Sequence, residues 1–468
     1  MKLLKPLLIS GAEVLPLIEG GKGVAVSTGK TAGAWAAANA VGTISGVIPD
    51  VVDKDGNVIP MEIKAKSRRE RFEEQVRHSI EGCLSQARLA YEISNGLGRI
   101  HLNVLWEQGG AITILEEVLA NAKGLIHGVT CGAGMPYKLA QIAASFKTFY
   151  YPIVSSGRAF KALWARAYHS YREFLGGVVY EDPWKAGGHI GLSNNEDADV
   201  SEDAYPRVLE LRNAMREVGL EKTPIIIAGG VWYLREFQDF IDNPEVGPTA
   251  FQFGTRSLLT RESPVARAWQ KTLLSLKPGD VVVQRFSPTG FASSAIRNDF
   301  LNDLFERSKT AMPYAEAPSG DFQTPFMIGS RKVYISAANK EKADGYFSEG
   351  RTVPLRTADE HIVFVTPKNN EDIQRARTNC MGCISHCMFS SWSQSAPGNT
   401  TGKIPDPRYF CIQEKLYRIA HGYPVEQELM FAGSNAQTLP HSYCTYSHRI
   451  RSLRTASCRR SRNSSTGF

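Results

Sequence analysis

The chain has 468 residues, 43% of them apolar and 22% charged, which accommodates a barrel of roughly 250 residues plus a second unit and excludes general disorder. Its net charge of +7 is concentrated at one end. No acidic residue follows Glu428, and Arg449, Arg451, Arg454, Arg459, Arg460 and Arg462 carry all but one unit of the excess, so the basicity marks an appendage rather than a nucleic-acid face.

In chain order, short apolar runs alternate with helical patterns from near the start to about residue 276. The candidate strands are Leu15 to Glu19, Gly42 to Ser45, Ile100 to Leu105, Gly124 to Val129, Thr148 to Val154, Gly177 to Glu181, Pro224 to Ala228 and Ala250 to Phe253. Between them, Arg69 to Ser94, Ile112 to Ala122, Tyr137 to Phe146, Tyr205 to Val218 and Trp232 to Ile241 repeat apolar residues at three and four, the helical period. Strands alternating with helices require parallel pairing and right-handed crossovers. A doubly wound sheet satisfies that rule too, but glycine-rich turns after the last three strands favour a closed (β/α)8 TIM barrel, where phosphate sites gather after the final strands. Asp50 to Lys66, centred on Asp55-Gly56-Asn57, reads as an inserted hairpin near the barrel mouth.

From Lys277 the rhythm is lost. Lys332 to Ser336 and His361 to Val365 read as strands, Ser294 to Glu306 and Ile412 to His421 as helices, and the whole as a cap on the barrel. The expected organisation is therefore a barrel over 1–276, a C-terminal cap carrying a cysteine cluster over 277–432, and a basic tail over 433–468 that is too poor in apolar residues to offset its ordering entropy. The first residues lack the apolar core of a signal peptide, and no run reaches the roughly 18 apolar residues of a membrane span. A cytoplasmic protein with no membrane or nucleic-acid partner is expected; the oligomeric state is not readable.

Eight cysteines in such a chain suit a reducing compartment. Cys380, Cys383 and Cys387 fall within one tight loop and Cys411 follows after a Pro- and Gly-containing excursion, a set that suits a [4Fe–4S] cluster, a zinc ion with His386 as a substitute ligand, or unligated thiols. Cys83 lies in a helical pattern and reads as core; Cys131 either faces a cofactor or is an inert buried thiol.

The order Gly20-Gly21-Lys22-Gly23, Asn103, Ala186-Gly187-Gly188-His189, Gly229-Gly230 and Gly254-Thr255-Arg256 resembles the nitronate monooxygenase (2-nitropropane dioxygenase) family of FMN-dependent barrel oxidoreductases, over roughly residues 12 to 276. Flavin-type enoyl-acyl-carrier-protein reductases share much of this pattern. The resemblance implies a flavoprotein in which Gly229, Gly230, Gly254 and Thr255 hold the FMN phosphate, Asn103 hydrogen-bonds the isoalloxazine edge, Gly187 and Gly188 pack beside the ring, Gly21 is a further cofactor-binding residue, and His189 is the general base. Glycines and a hydroxyl donor are also what a phosphate dianion needs, and an imidazole titrates near neutrality. His189 read alone is more often a structural histidine than a base, and its place in a glycine loop after a barrel strand reverses that reading. Asp182-Pro183 stands where the family has Gln and Gly, which puts Asp182 in a flavin-contacting position that it can fill as a donor only when protonated. The cysteine triplet is similar to the cluster loop of flavin and iron–sulfur dienoyl-CoA reductases.

The leading expectation is oxidation of alkyl nitronates or similar small carbon acids by dioxygen. Alternatives are an NAD(P)H-dependent enoyl-thioester reductase and a non-catalytic flavin or metal module of a larger assembly. No Gly-x-Gly-x-x-Gly fingerprint follows a strand, so a nicotinamide would bind transiently at the mouth.

Overall fold

The computed structural model describes residues 2–193 and 196–438. Eight parallel strands close on one another: Leu17–Glu19 (β1), Val41–Ser45 (β2), Arg99–Leu105 (β3), Gly128–Gly132 (β4), Phe149–Val154 (β5), Val178–Glu181 (β6), Ile225–Ala228 (β7) and Thr249–Phe253 (β8), with β8 pairing back onto β1. Both faces of these strands are buried, which is why they read as continuous apolar runs rather than alternating ones. The fold is a (β/α)8 TIM barrel.

The lower end is plugged by a hairpin, Leu7–Ile9 with Ala12–Val14, turned by Ser10 and Gly11 at positive φ. Ile9 and Val14 join Ile18, Val41, Tyr151, Val179, Ile226 and Ala250 in the barrel interior. Ser10 fixes the plug: its Oγ lies 2.9 Å from His101 Nε2 and 2.7 Å from the Tyr151 hydroxyl. On the outside, Arg68–Ser94 starts at a Ser67/Glu70 capping box and ends on Asn95 in the left-handed region, both legible in the sequence. The inserted hairpin forms as Val51–Val52 paired with Val58–Ile59, its turn held by Asp53 Oδ1 accepting from the Asp55 and Asn57 amides.

Three sequence expectations are corrected. The fourth strand begins at Gly128, not Gly124, because Lys123 and Gly124 both take positive φ and make a turn of the segment before it. Cys131 is therefore a strand residue, wholly buried between barrel and helices, and an inert thiol. Trp232 to Ile241 is not a helix. Only Leu234–Phe237 coils, as a 3-10 turn, and the amides of Glu236, Phe240 and Ile241 bond three residues back while Phe237 and Phe240 pack on each other, Phe251 and Tyr205. Ser294 to Glu306 divides at Asn298, whose side chain caps the helix Asp299–Lys309; before it, Ser293–Ile296 is a strand.

That strand matters to the site. It pairs with Val281–Gln284 on one side and with Gly188–His189 on the other, so the cap is stitched by main-chain bonds to the loop carrying the candidate histidine. Phe431 bridges to Ala295, and Met430 and Ala432 exchange main-chain bonds with Ile296 and Ser294. The rest of the cap has its own core of Tyr314, Phe326, Val333, Ile335 and Phe364 under two small antiparallel sheets. The described chain stays packed beyond the expected boundary at 433: Ala436 is buried and Gln437 Oε1 accepts from the Gly279 and Val281 amides. The tail from residue 439 lies outside the described residues. Among the described residues no helix is long and apolar enough to cross a membrane.

Candidate active site

A cavity of about 720 Å³ opens at the carboxyl ends of the strands. Every strand-end turn that drew attention in the sequence reaches it: Gly21 after β1, Asn103 in β3, Gly187 to His189 after β6, Gly229 and Gly230 after β7, and Gly254 and Thr255 after β8. Gly21 makes room for Asn103, since a Cβ there would fall 2.2 Å from the Asn103 side chain. The Asn103 amide is buried in the wall and makes no side-chain hydrogen bond to the described protein. Two buried polar atoms of other wall residues, Gln108 Oε1 and Trp232 Nε1, likewise have no partner among the described residues. Buried polar groups are costly to leave unpaired, so this wall is suited to a ligand with polar edges.

At the other side, Gly229 and Gly230 take φ of +82° and +72°. A Cβ on Gly230 would sit 2.8 Å from Lys185 Cβ, whereas one on Gly254 would meet only open space. The main-chain amides of Gly230, Gly254 and Thr255 have no acceptor among the described residues. Glycines at positive φ beside free amides are the makings of an anion nest. The C-terminal segment roofs this corner: Gly433 N donates to Thr255 Oγ1 (3.0 Å), Asn435 Nδ2 to Gly230 O (3.0 Å) and Ser434 Oγ to Trp184 O (3.1 Å). A phosphate monoester at the nest and a flat polar ring along Asn103 and Gln108 fit these residues, which is the shape of FMN.

His189 lies in the wall between these regions. Its Nε2 is 2.8 Å from Ser287 Oγ and 3.1 Å from Thr289 Oγ1, both on the loop that leads into the cap strand pairing with it, and Phe291 and Phe431 flank the ring at 6.1 and 5.6 Å. Burial pushes its pKa down to about 4, so the imidazole is neutral at pH 7. Ser287 and Thr289 were not foreseen, because a loop 98 residues downstream carries no local signal of where it lands.

Asp182 does not reach the cavity. Its carboxylate turns inward to close the loop it begins, accepting from Trp184 N (3.0 Å) and Lys185 N (3.2 Å) and pairing with Lys185 Nζ (3.3 Å). The residue that does line the cavity is its neighbour Glu181, by the alternation of side chains along β6. Burial, reinforced by the Asp182 charge, raises the Glu181 carboxyl to about 7. Only the strand register could have separated the two.

Cys380, Cys383, Cys387 and Cys411 line a second cavity, of about 300 Å³, and Cys383, Ile412 and Gln413 line both cavities. The loop is pinned to the barrel: Gly109 N donates to Cys383 O, Ser385 N to Glu107 O, and Arg71 Nε to Cys380 O. Gly382 passes so close over Trp392 that a Cβ would lie 2.4 Å from the indole. All four thiols are free. Among the described residues no three His, Cys, Asp or Glu side chains are gathered as a single ion would hold them, and His386 is exposed and bonded to Ser393, outside the cavity. His386 therefore stands apart from the four thiols.

No curated protein matches the chain. Among solved structures, FabK from Thermotoga maritima is 20% identical over 63% of this chain and 74% of its own, with a TM-score of 0.42. A nitroalkane oxidase from Streptomyces ansochromogenes is 16% identical over 62% and 78%, with a TM-score of 0.44. The enoyl reductase domain of MlnA from Bacillus amyloliquefaciens is 10% identical over 91% and 88%, with a TM-score of 0.46. The family described as nitronate monooxygenase matches residues 6–350, which is most of the chain and contains the whole barrel with its glycine turns. The chain belongs to the nitronate monooxygenase family of FMN-dependent oxidoreductases.

Proposed function

We propose that the chain oxidises small carbon acids that arrive already ionised, alkyl nitronates first among them, with dioxygen as the terminal acceptor. The observation that carries this reading is the neutral, half-buried His189. A base whose conjugate acid has a pKa of about 4 is too weak to strip a proton from an unactivated carbon at neutral pH, and is suited instead to hydrogen-bonding a preformed anion. Ser287 and Thr289 hold the imidazole in place, and Phe291 and Phe431 flank it. The amides of Gly230, Gly254 and Thr255 would bind the FMN phosphate, with Asn103 and Gln108 along the ring. When bound, FMN supplies the electron acceptor for the substrate and the route to dioxygen.

A second reading, NAD(P)H-dependent reduction of an enoyl thioester, is favoured by Glu181. A carboxyl near pKa 7 in the cavity wall is half protonated at neutral pH and can donate a proton to the α-carbon, which His189 cannot. Anaerobic mixing of the flavin-loaded protein separates the two. A preformed alkyl nitronate is expected to bleach the flavin rapidly, the neutral nitroalkane far more slowly and NADPH not at all. Bleaching by NADPH alone overturns the first reading, and loss of that reaction's enoyl turnover in Glu181→Gln would establish the second.

A further inference from the structure

We propose that Cys380, Cys383, Cys387 and Cys411 bind a [4Fe–4S] cluster in the cavity they line, beside the wall of the larger cavity. The inference stands on the cysteine geometry and does not depend on which substrate the flavin site takes.

Two segments converge on this cavity: the loop 380–387, pinned to the barrel, and Cys411, which is the N-cap of the helix Ile412–Ala420. Four thiols around one space of about 300 Å³ is a set that chance seldom assembles. A zinc ion binds thiolates at about 2.3 Å and so draws the sulfurs to within roughly 4 Å of one another. All four thiols here line one cavity, and their loop and helix come from separate segments. A four-iron cubane places its cysteine sulfurs at its corners, further apart, and leaves space between them for inorganic sulfide.

Main-chain donors reach three of the four sulfurs, against a burial that raises their thiols. The first-turn amides of the helix at Gln413 and Glu414 lie toward the Cys383 and Cys411 thiols, and those of Phe389 and Ser390 toward Cys387. Ser390 Oγ is 3.2 Å from Cys380 Sγ. Donors on ligand sulfurs stabilise a cluster and tune its potential, and a helix N-terminus adds partial positive charge. Arg377, whose Nε is held by Phe389 O (2.9 Å), lies near Cys387 and keeps a buried Nη2 with no acceptor among the described residues. A cluster with four thiolates carries net negative charge and would meet that guanidinium.

The test uses the full chain purified without oxygen, and after reconstitution with ferrous iron and sulfide. About four iron and four acid-labile sulfide per chain are expected, with an electron paramagnetic resonance signal after dithionite reduction. Cys387→Ala and Cys411→Ala should drop iron below one per chain while flavin absorbance stays, and Cys131→Ala should lose none. If the ligand variants fail to fold, the wild-type iron, sulfide and resonance measurements decide alone. One zinc per chain without labile sulfide, a disulfide between any two of the four cysteines under the same conditions, or no metal after reconstitution would each overturn the proposal.

Discussion

At the scale of single residues, His189 is defined by what the cap brings to it. The imidazole is wedged between two hydroxyls and two phenyl rings, so its orientation depends on Ser287 as much as on its own loop. His189→Ala should keep FMN and lose nitronate turnover by roughly 100-fold, the upper range for removing a hydrogen bond to a charged group. Ser287→Ala should lose less, about 10-fold, because Thr289 Oγ1 still holds Nε2 at 3.1 Å. Steady-state kcat and KM with a preformed nitronate measure both; unchanged kcat in His189→Ala would leave the ring a packing role. The same scale shows why Asp182 misled. A carboxylate in a glycine-flanked loop looks poised for a ligand, yet an Asp followed by Pro183 and two free amides more readily closes its own turn, which its bonds to Trp184 and Lys185 do. Glu181, one residue away, faces the cavity, and nothing short of the register of β6 distinguishes the pair.

At the scale of elements, the barrel was legible because each strand is short, apolar on both faces and ended by a turn residue. Seven of the eight candidate strands overlap the observed ones closely, and the eighth is displaced toward its carboxyl end by the turn at Lys123 and Gly124. Cap elements formed by long-range pairing were less legible. Ser293–Ile296 is a strand because Val281–Gln284 and Gly188–His189 flank it, and its own sequence passes equally for the start of the following helix. Composition drew the tail boundary at 433, yet the residues from Gly433 to Gln437 are tied to both the barrel and the cap. Their bonds reach Thr255 and Gly230, two residues of the proposed phosphate site, and Asn435 Nδ2 lies 3.0 Å from where a Cβ on Gly230 would stand. A chain ending at Ala432 is therefore expected to lose most of its flavin on gel filtration, whereas one ending at Thr438 retains it. Equal flavin content in the two truncations, read from absorbance after desalting, would detach this segment from the site.

At the scale of the whole molecule, the barrel is closed below by a hairpin plug and above by the cap, and both closures bury neutral histidines. His101 Nε2 meets Ser10 of the plug, and burial, with smaller contributions from His127 and Arg99, lowers its pKa to about 3. His127, lowered to about 4 by burial and then by Arg99, accepts the Ile100 amide on Nδ1, a bond that protonation removes. Their unfolded values lie near 6.5, so between about pH 4 and 6.5 the unfolded chain binds more protons than the folded one, and stability rises with pH across that window. Glu181 opposes them, because a carboxyl raised from 4.5 to about 7 makes the folded state the better proton binder over nearly the same range. Its shift matches that of His127, and the shifts of His101 and His189 remain, so the histidines prevail. For His101 alone the linkage is on the order of 5 kcal/mol when the whole shift is realised. The denaturation midpoint is expected to hold steady above about pH 7 and to fall steeply as the pH drops from 6.5 toward 4. His101→Gln, which cannot titrate, should be less stable at pH 7 through its altered contact with Ser10 but show a shallower loss in acid. A variant whose midpoint falls with pH as steeply as the wild type would move the acid sensitivity away from the plug.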